Sequence, residues 1–231
     1  MAGRDGAPSL LCVPGLGLDD RAWRPTLRAL QGPVGHPEDV VALLPGYGLR
    51  PSAEDDLRPS SLGARLAARW LTDVPAPIVL MGHSGSCQIV ARAAVLVPDR
   101  VSALVLVGPT TDPRAASWPR ICYRWLRTAI RERPGQLPLL ARTYTHTGLL
   151  WMFRAMDAAR REDLRADLRE LGCPVYVARG RDDRICPEDW ADEVVAAAPA
   201  GSRMVSLDEG AHMVPLTHGE MLAAAVKGAL G

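Results

Sequence analysis

Six short apolar runs recur along the chain, and their spacing is the feature that most restricts its fold. Each run contains five to eight residues, most of them aliphatic, and is followed or ended by Gly, Pro or a polar cluster. The runs occupy residues 9–13, 39–44, 77–82, 101–108, 174–180 and 202–207. Strands that are buried on both faces of a parallel sheet have this pattern.

Segments of helical character separate these runs. They cover residues 21–30, 60–72, 85–97, 188–198 and 218–229. Alternation of strand and helix predicts an α/β fold with a mostly parallel sheet of about six strands and helices on both faces. A chain of 231 residues with 48% apolar content can bury one substantial core, so we expect one large domain.

One segment interrupts the alternation. Residues 112–172 contain no strand-like run, but they carry three of the six Trp and the sole Phe. We interpret this segment as a helical cap or lid inserted over one end of the sheet, and we refer to it as the cap segment; residues 1–111 and 173–231 then form the core. The stretch from Arg114 to Arg169 contains twelve Arg and five acidic residues. Its local charge is therefore +7, in a chain with a net charge of +1.

The third apolar run ends in an abrupt cluster of small and polar residues, Gly82-His83-Ser84-Gly85-Ser86. In a parallel α/β sheet, catalytic groups collect where strands end, and Ser84 lies between a predicted strand and a predicted helix. A tight turn at this place requires small neighbours, which Gly82, Gly85 and Ser86 provide. A serine hydroxyl on such a turn is a candidate nucleophile, provided that an imidazole and a carboxylate activate it.

This cluster resembles the GxSxG nucleophile elbow of the α/β-hydrolase superfamily, with Ser86 in place of the last glycine. The resemblance implies a catalytic triad in the order Ser, acid, His. Asp183 lies in a turn similar to the family's G-x-x-D-x-x-x-P turn, and His212 follows the last predicted strand. Only eight residues precede the first run, so the sheet is expected to lack the first two strands of the family core.

Several other residues could fill these positions. Asp182 is adjacent to Asp183, and Asp112 lies where some relatives place their acid, so both remain alternatives for the carboxylate. His36, His146 and His218 are expected to be structural or solvated. His83 is expected to pack beside the nucleophile, since a residue in the same strained turn cannot face Ser84.

The resemblance also implies two backbone N–H donors for an oxyanion. One belongs to Gly85, the residue after the nucleophile. The other belongs to Leu16, in a Pro14-Gly15-Leu16 loop that departs from the family's His-Gly-x pattern. A dinucleotide-binding interpretation of Gly15 and Gly17 is disfavoured, because the third glycine of that fingerprint is missing.

This machinery implies a serine hydrolase that cleaves a carboxylic ester or thioester through an acyl-enzyme, with no metal and no cofactor. The same fold supports acyl transfer, C–C bond hydrolysis, lyase reactions and cofactor-free oxygenation, so these reactions remain alternatives. A catalytically silent binding module is a further alternative. Ser84 disfavours halide displacement and epoxide opening, for which this fold uses Asp as the nucleophile.

The cap segment bears on the substrate. Trp118, Trp125, Trp151 and Phe153 are candidate pocket residues for an apolar acyl or aromatic group. Around residues 118–131 the apolar side chains and the arginines occupy opposite helical faces, the latter being Arg120, Arg124, Arg127 and Arg131. The basic face is either solvated or a docking surface for an anionic carrier such as coenzyme A or acyl carrier protein.

The remaining features concern location and partners. The five cysteines are scattered, without a CxxC pair, which indicates reduced thiols rather than disulfides or a zinc site. No stretch resembles a secretory h-region or a transmembrane helix, so we expect a cytoplasmic protein without membrane contact. The excess of Arg over Lys reflects composition bias and does not indicate nucleic-acid binding.

Overall fold

The computed structural model describes residues 8–31 and 40–230, and every structural statement below concerns this part of the chain. Six parallel strands form its main sheet, in the order β2-β1-β5-β6-β7-β8. Their bounds are Ser9–Val13 (β1), Val40–Val41 (β2), Ile78–His83 (β5), Val101–Val107 (β6), Val175–Gly180 (β7) and Arg203–Leu207 (β8). The predicted α/β fold with six mostly parallel strands is confirmed.

The second predicted strand, residues 39–44, differs from the structure. Residue 39 and His36 lie outside the described residues, and the sheet strand covers only Val40–Val41. Leu44–Pro45 (β3) instead pairs with Gly48–Leu49 (β4) in a separate two-stranded sheet. The reason is local, because the chain turns sharply at Gly46, whose φ of +83° favours glycine.

Helices cover both faces of the main sheet. Helices α1 and α10 pack together on one face, while α2, α3, α7 and α8 occupy the other. The helices of the core are Arg24–Gln31 (α1), Pro59–Arg69 (α2), Ser86–Leu96 (α3), Glu188–Ala197 (α8), Val214–Thr217 (α9) and Gly219–Leu230 (α10). Those of the cap segment are Trp118–Ala129 (α4), Leu137–Thr147 (α5), Leu149–Ala159 (α6) and Leu164–Leu168 (α7).

Successive residues of a strand belong alternately to two separate apolar cores, one on each face of the sheet. On β5, Leu80 belongs to the core beneath α2 and α3, whereas Val79 and Met81 belong to the core beneath α1 and α10. All three side chains are essentially inaccessible to solvent. A strand buried on both faces needs apolar side chains at every position, which explains the unbroken runs in the sequence.

The cap segment joins β6 to β7. Its residues are helical or irregular throughout, as the sequence predicts, and α6 and α7 reach the core beside α3. The division of the chain into a core domain and a cap domain remains a prediction. Within the described residues, no helix combines the length and the apolarity that crossing a bilayer requires.

Candidate active site

Ser84 occupies a strained turn at the centre of the sheet. Strand β5, which lies between β1 and β6, ends at His83, and α3 begins at Ser86. Ser84 has a φ of +57°, and among the described residues it is the one non-glycine with a positive φ. Its backbone N–H donates to the Val107 carbonyl of β6 at 2.8 Å. A left-handed serine between strand and helix is the geometry that a nucleophile elbow requires.

The small residues around Ser84 have separate steric and polar roles. A Cβ on Gly82 would lie 2.7 Å from the Val90 side chain, so only glycine lets α3 return this close to β5. The Ser86 hydroxyl is buried; it accepts from the His83 N–H at 2.8 Å and lies 2.9 Å from the Val13 carbonyl. Ser86 replaces the last glycine of the GxSxG pattern, and its hydroxyl therefore stabilises the turn and links it to the neighbouring strand β1.

Asp183 and His212 form a buried hydrogen-bonded pair at the ends of β7 and β8. The distance from His212 Nδ1 to Asp183 Oδ2 is 2.7 Å. The other carboxylate oxygen accepts the backbone N–H groups of Ile185 and Cys186, at 2.8 and 3.0 Å. Because the carboxylate receives Nδ1–H, the neutral imidazole presents its free lone pair at Nε2.

The charges of the pair stabilise one another. Burial opposes charge on Asp183, but His212 and the backbone donors hold the pKa of this carboxyl below its ordinary value. Burial also opposes charge on His212, but the facing carboxylate and its hydrogen bond raise the pKa of the imidazole. The arrangement favours a carboxylate beside an imidazole that readily takes up a proton.

His83 packs against the other side of His212. The two ring centroids are 5.0 Å apart, and His83 Nε2 lies 3.0 Å from the His212 carbonyl oxygen, so Nε2 carries the proton in this contact. Burial lowers the pKa of His83 to about 3. His83 is thus a neutral packing residue in contact with the predicted base, whereas from the sequence we expected it to pack beside the nucleophile.

Ser84 and His212 are not joined by a hydrogen bond. His212 Nε2 is buried and has no hydrogen-bond partner among the described residues. Both residues nevertheless border the same end of β6: Ser84 bonds to Val107, and the next residue, Gly108, faces the Asp183–His212 pair. The structure therefore brings Asp183 and His212 into contact and leaves His212 Nε2 without a hydrogen-bond partner among the described residues.

The two predicted oxyanion donors, the N–H groups of Leu16 and Gly85, make no hydrogen bond to another described residue. Their neighbours are fixed, since Gly17 N–H donates to the Gly46 carbonyl at 2.8 Å. Gly85 lies against the buried ring of Tyr47, whose hydroxyl oxygen would be 3.0 Å from a Cβ at this position. Free N–H groups on a braced backbone are suited to hold an anion.

The alternative acids are placed elsewhere. Asp112 is buried, but it forms ion pairs with Arg114 at 3.0 Å and with Arg124 at 2.7 Å. Asp182 is partly exposed and lies about 4 Å from two arginines. Of the remaining histidines in the described residues, His146 is exposed on α5 and His218 contacts Thr217.

The cap segment encloses a cavity of about 450 Å³. Its walls consist of Leu16 and eleven residues of α4, α5 and α6 that are mostly apolar. Trp118, Trp125 and Phe153 are among them. Phe153 and Leu126 are 57% and 66% exposed, so the cavity opens to solvent at this side. Leu16 belongs both to the cavity wall and to the loop of predicted oxyanion donors, so this loop borders the cavity.

Two residues of the cap segment differ from expectation. Trp151 does not line the cavity; it packs against the main core with Arg154 over its ring. Arg124 is not on a solvated basic face, because its guanidinium is ion-paired with buried Asp112. Helical periodicity separates an apolar from a basic side but does not show which of them a neighbouring element covers.

Gly108 and Tyr47 are parts of the site that sequence reasoning missed. Gly108 has a φ of +55°, and a Cβ there would lie 2.9 Å from Asp183 Oδ2 and 3.0 Å from His212 Nδ1. Its position at the carboxyl end of a predicted strand was an available signal. Nothing local distinguishes Tyr47 from an ordinary loop tyrosine.

Comparison with known proteins adds independent evidence. The family model of the Alpha/beta hydrolase family matches residues 10–225. The chain is 28% identical over 208 residues to pimeloyl-[acyl-carrier protein] methyl ester esterase of Methylococcus capsulatus, covering 78% of this chain and 79% of that protein. The esterase of the same description from Neisseria meningitidis serogroup B is 28% identical over 209 residues, with 78% of each chain covered.

Among solved structures, an esterase from Exiguobacterium antarcticum is similar with a TM-score of 0.72 and 17% identity, over 97% of this chain and 92% of that one. At this identity the likeness concerns the fold. The family match, which spans nearly the whole chain, agrees with the parallel sheet, the strained serine turn and the strand-end placement of Asp183 and His212. The chain therefore belongs to the alpha/beta hydrolase family and is an enzyme of the hydrolase type.

Proposed function

We propose that this enzyme hydrolyses carboxylic esters with an apolar acyl group, using Ser84 as nucleophile, His212 as base and Asp183 as the orienting acid. The observation that carries the proposal is the 2.7 Å contact between Asp183 and His212, whose free Nε2 lies at the same sheet edge as strained Ser84. The esterase names of the curated relatives agree with it.

In the proposed reaction, Ser84 Oγ attacks the ester carbonyl carbon while its proton passes to His212 Nε2. The N–H groups of Leu16 and Gly85 hold the oxygen that becomes negative. His212 then protonates the leaving alkoxide, and the C–O bond breaks to give an acyl-Ser84 enzyme. Water, deprotonated by His212, releases the acid by the same steps in reverse.

The first experiment is covalent labelling with a fluorophosphonate, followed by intact-protein mass measurement. Wild-type protein should gain one stoichiometric adduct, while Ser84→Ala and His212→Ala should gain none, because the first lacks the attacking oxygen and the second lacks its base. Circular dichroism of both variants controls for folding. Equal labelling of Ser84→Ala, or full ester turnover by it, would refute the assignment of Ser84.

The ester class is tested with a series of p-nitrophenyl esters from acetate to laurate. An apolar cavity gains about 0.8 kcal/mol for each buried methylene, so kcat/KM should rise roughly fourfold per carbon until the cavity is filled. If kcat/KM does not change with chain length, the cavity does not bind the acyl chain.

The rate of ester hydrolysis should also rise with pH as His212 loses its proton. The midpoint of this rise should lie above pH 6.5, since the pKa of His212 is raised.

A carrier-bound acyl ester or thioester is a second, finer substrate class. The curated relatives are named for an ester on an acyl carrier protein. Here Arg120 and Arg127 are exposed on α4, the helix that also lines the cavity. We infer that these arginines attract an acidic carrier and bring its acyl chain to the cavity mouth.

Charge reversal tests this docking. Arg120→Glu with Arg127→Glu should raise KM for a carrier-bound acyl substrate by about tenfold or more at low salt, without changing KM for p-nitrophenyl butyrate. The matched control is Arg28→Glu with Arg69→Glu, which changes the net charge equally on exposed positions of α1 and α2. Arg124 is unsuitable because of its ion pair with Asp112. Equal effects in both double variants would mean that only net charge matters.

A further inference from the structure

A single cap side chain holds the backbone of the loop that carries His212. Glu132 lies three residues after the end of α4, and its Oε1 accepts the N–H groups of His212 and Met213, at 2.8 and 2.9 Å. Its Oε2 accepts the Gln136 side-chain amide at 3.0 Å. Both carboxylate oxygens are therefore engaged, and the carboxylate is fixed in orientation.

The same end of α4 also contacts the loop of the acid. The Thr128 hydroxyl, one turn before Glu132, accepts the N–H of Arg184 at 3.1 Å and donates to the Arg124 carbonyl at 2.9 Å. Arg184 directly follows Asp183. Two side chains four residues apart thus bind the loops of both Asp183 and His212.

These contacts replace bonds that the loop cannot make itself. His212 and Met213 lie between β8 and α9, outside helix and strand, so their N–H groups have no ladder partner. A buried donor without a partner is costly, and Glu132 satisfies two neighbouring ones with a charged acceptor. Meanwhile Ile121, Trp125 and Ala129 of α4 line the apolar cavity. Helix α4 is therefore a wall of the cavity, and the turn that follows it supports the His212 loop.

We propose that Glu132 is a positioning residue, which fixes the backbone of His212 from the cap segment and thereby aligns the imidazole with Ser84. The inference rests on the proposed function, since it concerns the same base. It adds that the cap segment participates in aligning the catalytic groups as well as in binding the acyl chain.

Two substitutions separate the hydrogen bonds from the carboxylate charge. Glu132→Ala removes both. Glu132→Gln keeps an oxygen for the His212 and Met213 N–H groups. Its new amide can donate to Gln136 once the Gln136 amide rotates, since the Gln136 side-chain oxygen is buried without a partner among the described residues. Glu220→Gln, on an exposed position of α10, is the control for loss of one carboxylate.

The primary measurement is kcat and KM for p-nitrophenyl butyrate. Glu132→Ala should lower kcat roughly 10- to 100-fold while KM changes less than about threefold, because a misplaced base slows chemistry more than binding. Glu132→Gln should recover most of kcat, and Glu220→Gln should match wild type. Circular dichroism and thermal melting identify any variant that fails to fold. Wild-type kcat in Glu132→Ala, or a kcat of Glu132→Gln as low as that of Glu132→Ala, overturns the proposal.

The pH profile supplies a readout that a purely structural role would leave unchanged. The titratable groups that face His212 are Asp183, His83 and Glu132, from the loop after β7, from β5 and from the cap segment respectively. Loss of the Glu132 charge in Glu132→Gln should move the acidic limb of kcat/KM to lower pH. If the acidic limb of kcat/KM does not move, the assignment is overturned.

Ser84→Ala is measured in parallel. Turnover in that variant rejects the proposed function itself, whereas an inactive Ser84→Ala beside a fully active Glu132→Ala rejects only the role of Glu132.

Discussion

At the scale of single residues, the site depends on positions where the backbone or the space admits little choice. Ser84 accepts a positive φ, although it is not a glycine, because the Val107 carbonyl and the packing of α3 hold the turn. Gly108 is constrained in the opposite way: its positive φ and the closeness of Asp183 and His212 exclude a side chain. Strain of this kind is typical of functional sites and must be offset by the surrounding structure.

Substitution of Gly108 tests how closely the Asp183–His212 pair must be packed. Gly108→Ala places a methyl group about 3 Å from both side chains, so the pair must shift and kcat should fall by about tenfold or more. Gly201→Ala is the matched control, since Gly201 also has a positive φ (+88°) but a Cβ there meets nothing within 4 Å. Ester turnover and thermal melting are measured for both. Full kcat in Gly108→Ala would mean that the pair tolerates displacement.

At the scale of elements, α4 combines two environments on one helix. Thr128 is buried against the rest of the protein, whereas Cys122 and Leu126 are exposed residues of the open cavity wall. All five cysteines belong to the described residues, and Cys122 is the exposed one. A reagent that reacts with accessible thiols should therefore modify the cavity wall at Cys122.

Modification of Cys122 tests whether the cavity binds the acyl chain. N-ethylmaleimide should add to Cys122 well before the four buried thiols, and the adduct should lower kcat/KM for p-nitrophenyl laurate about tenfold while sparing the acetate. Dodecanoate, the product, should slow the labelling. Cys122→Ala controls for reaction elsewhere and should keep its chain-length profile after treatment. An equal loss for short and long esters would place acyl binding outside this cavity.

At the scale of the whole molecule, stability and the site are linked through buried histidines. His83 is neutral in the folded protein down to a pKa of about 3, but in the unfolded chain it takes up a proton near pH 6.5. Its burial therefore costs stability as the pH falls from 6.5 towards 3. His212 has the opposite sign: its raised pKa adds stability that is fully present below pH 6.5 and is lost as the pH rises through the folded value.

The pH dependence of unfolding isolates the contribution of His83. One proton gained on unfolding lowers the free energy of unfolding by at most about 1.4 kcal/mol per pH unit. Because the unfolded imidazole is half protonated at pH 6.5, the loss between pH 6.5 and 5 is about 1.6 kcal/mol. Urea unfolding at the two pH values should show this loss in wild type and a correspondingly smaller loss in His83→Asn. Identical losses in the two proteins would contradict a neutral buried His83.

Much of this architecture can be read from local sequence. The unbroken apolar run from residue 77 to 82 predicts a central strand, because a strand covered on both faces needs apolar side chains at every position. The small residues around Ser84 predict the turn, because only small side chains fit where α3 returns to β5. Ser84, Asp183 and His212 each follow a predicted strand, and parallel strands end at the same edge of a sheet, so the sequence predicts that these three residues share one edge.

Contacts between distant segments could not be read in this way. Periodicity shows that α4 has an apolar side, but not that Arg124 pairs with Asp112, that Trp151 turns away from the cavity or that Glu132 reaches His212. A helical repeat indicates which residues share one face of a helix, and a strand pattern indicates which residues are buried. Neither pattern indicates which other element packs against those residues. Fold class and the tight turn at Ser84 thus follow from local steric and apolar constraints, and the resemblance to the α/β-hydrolase family adds Asp183 and His212 as candidates. Partners distant in sequence are chosen only when the packed core brings those segments within hydrogen-bonding distance.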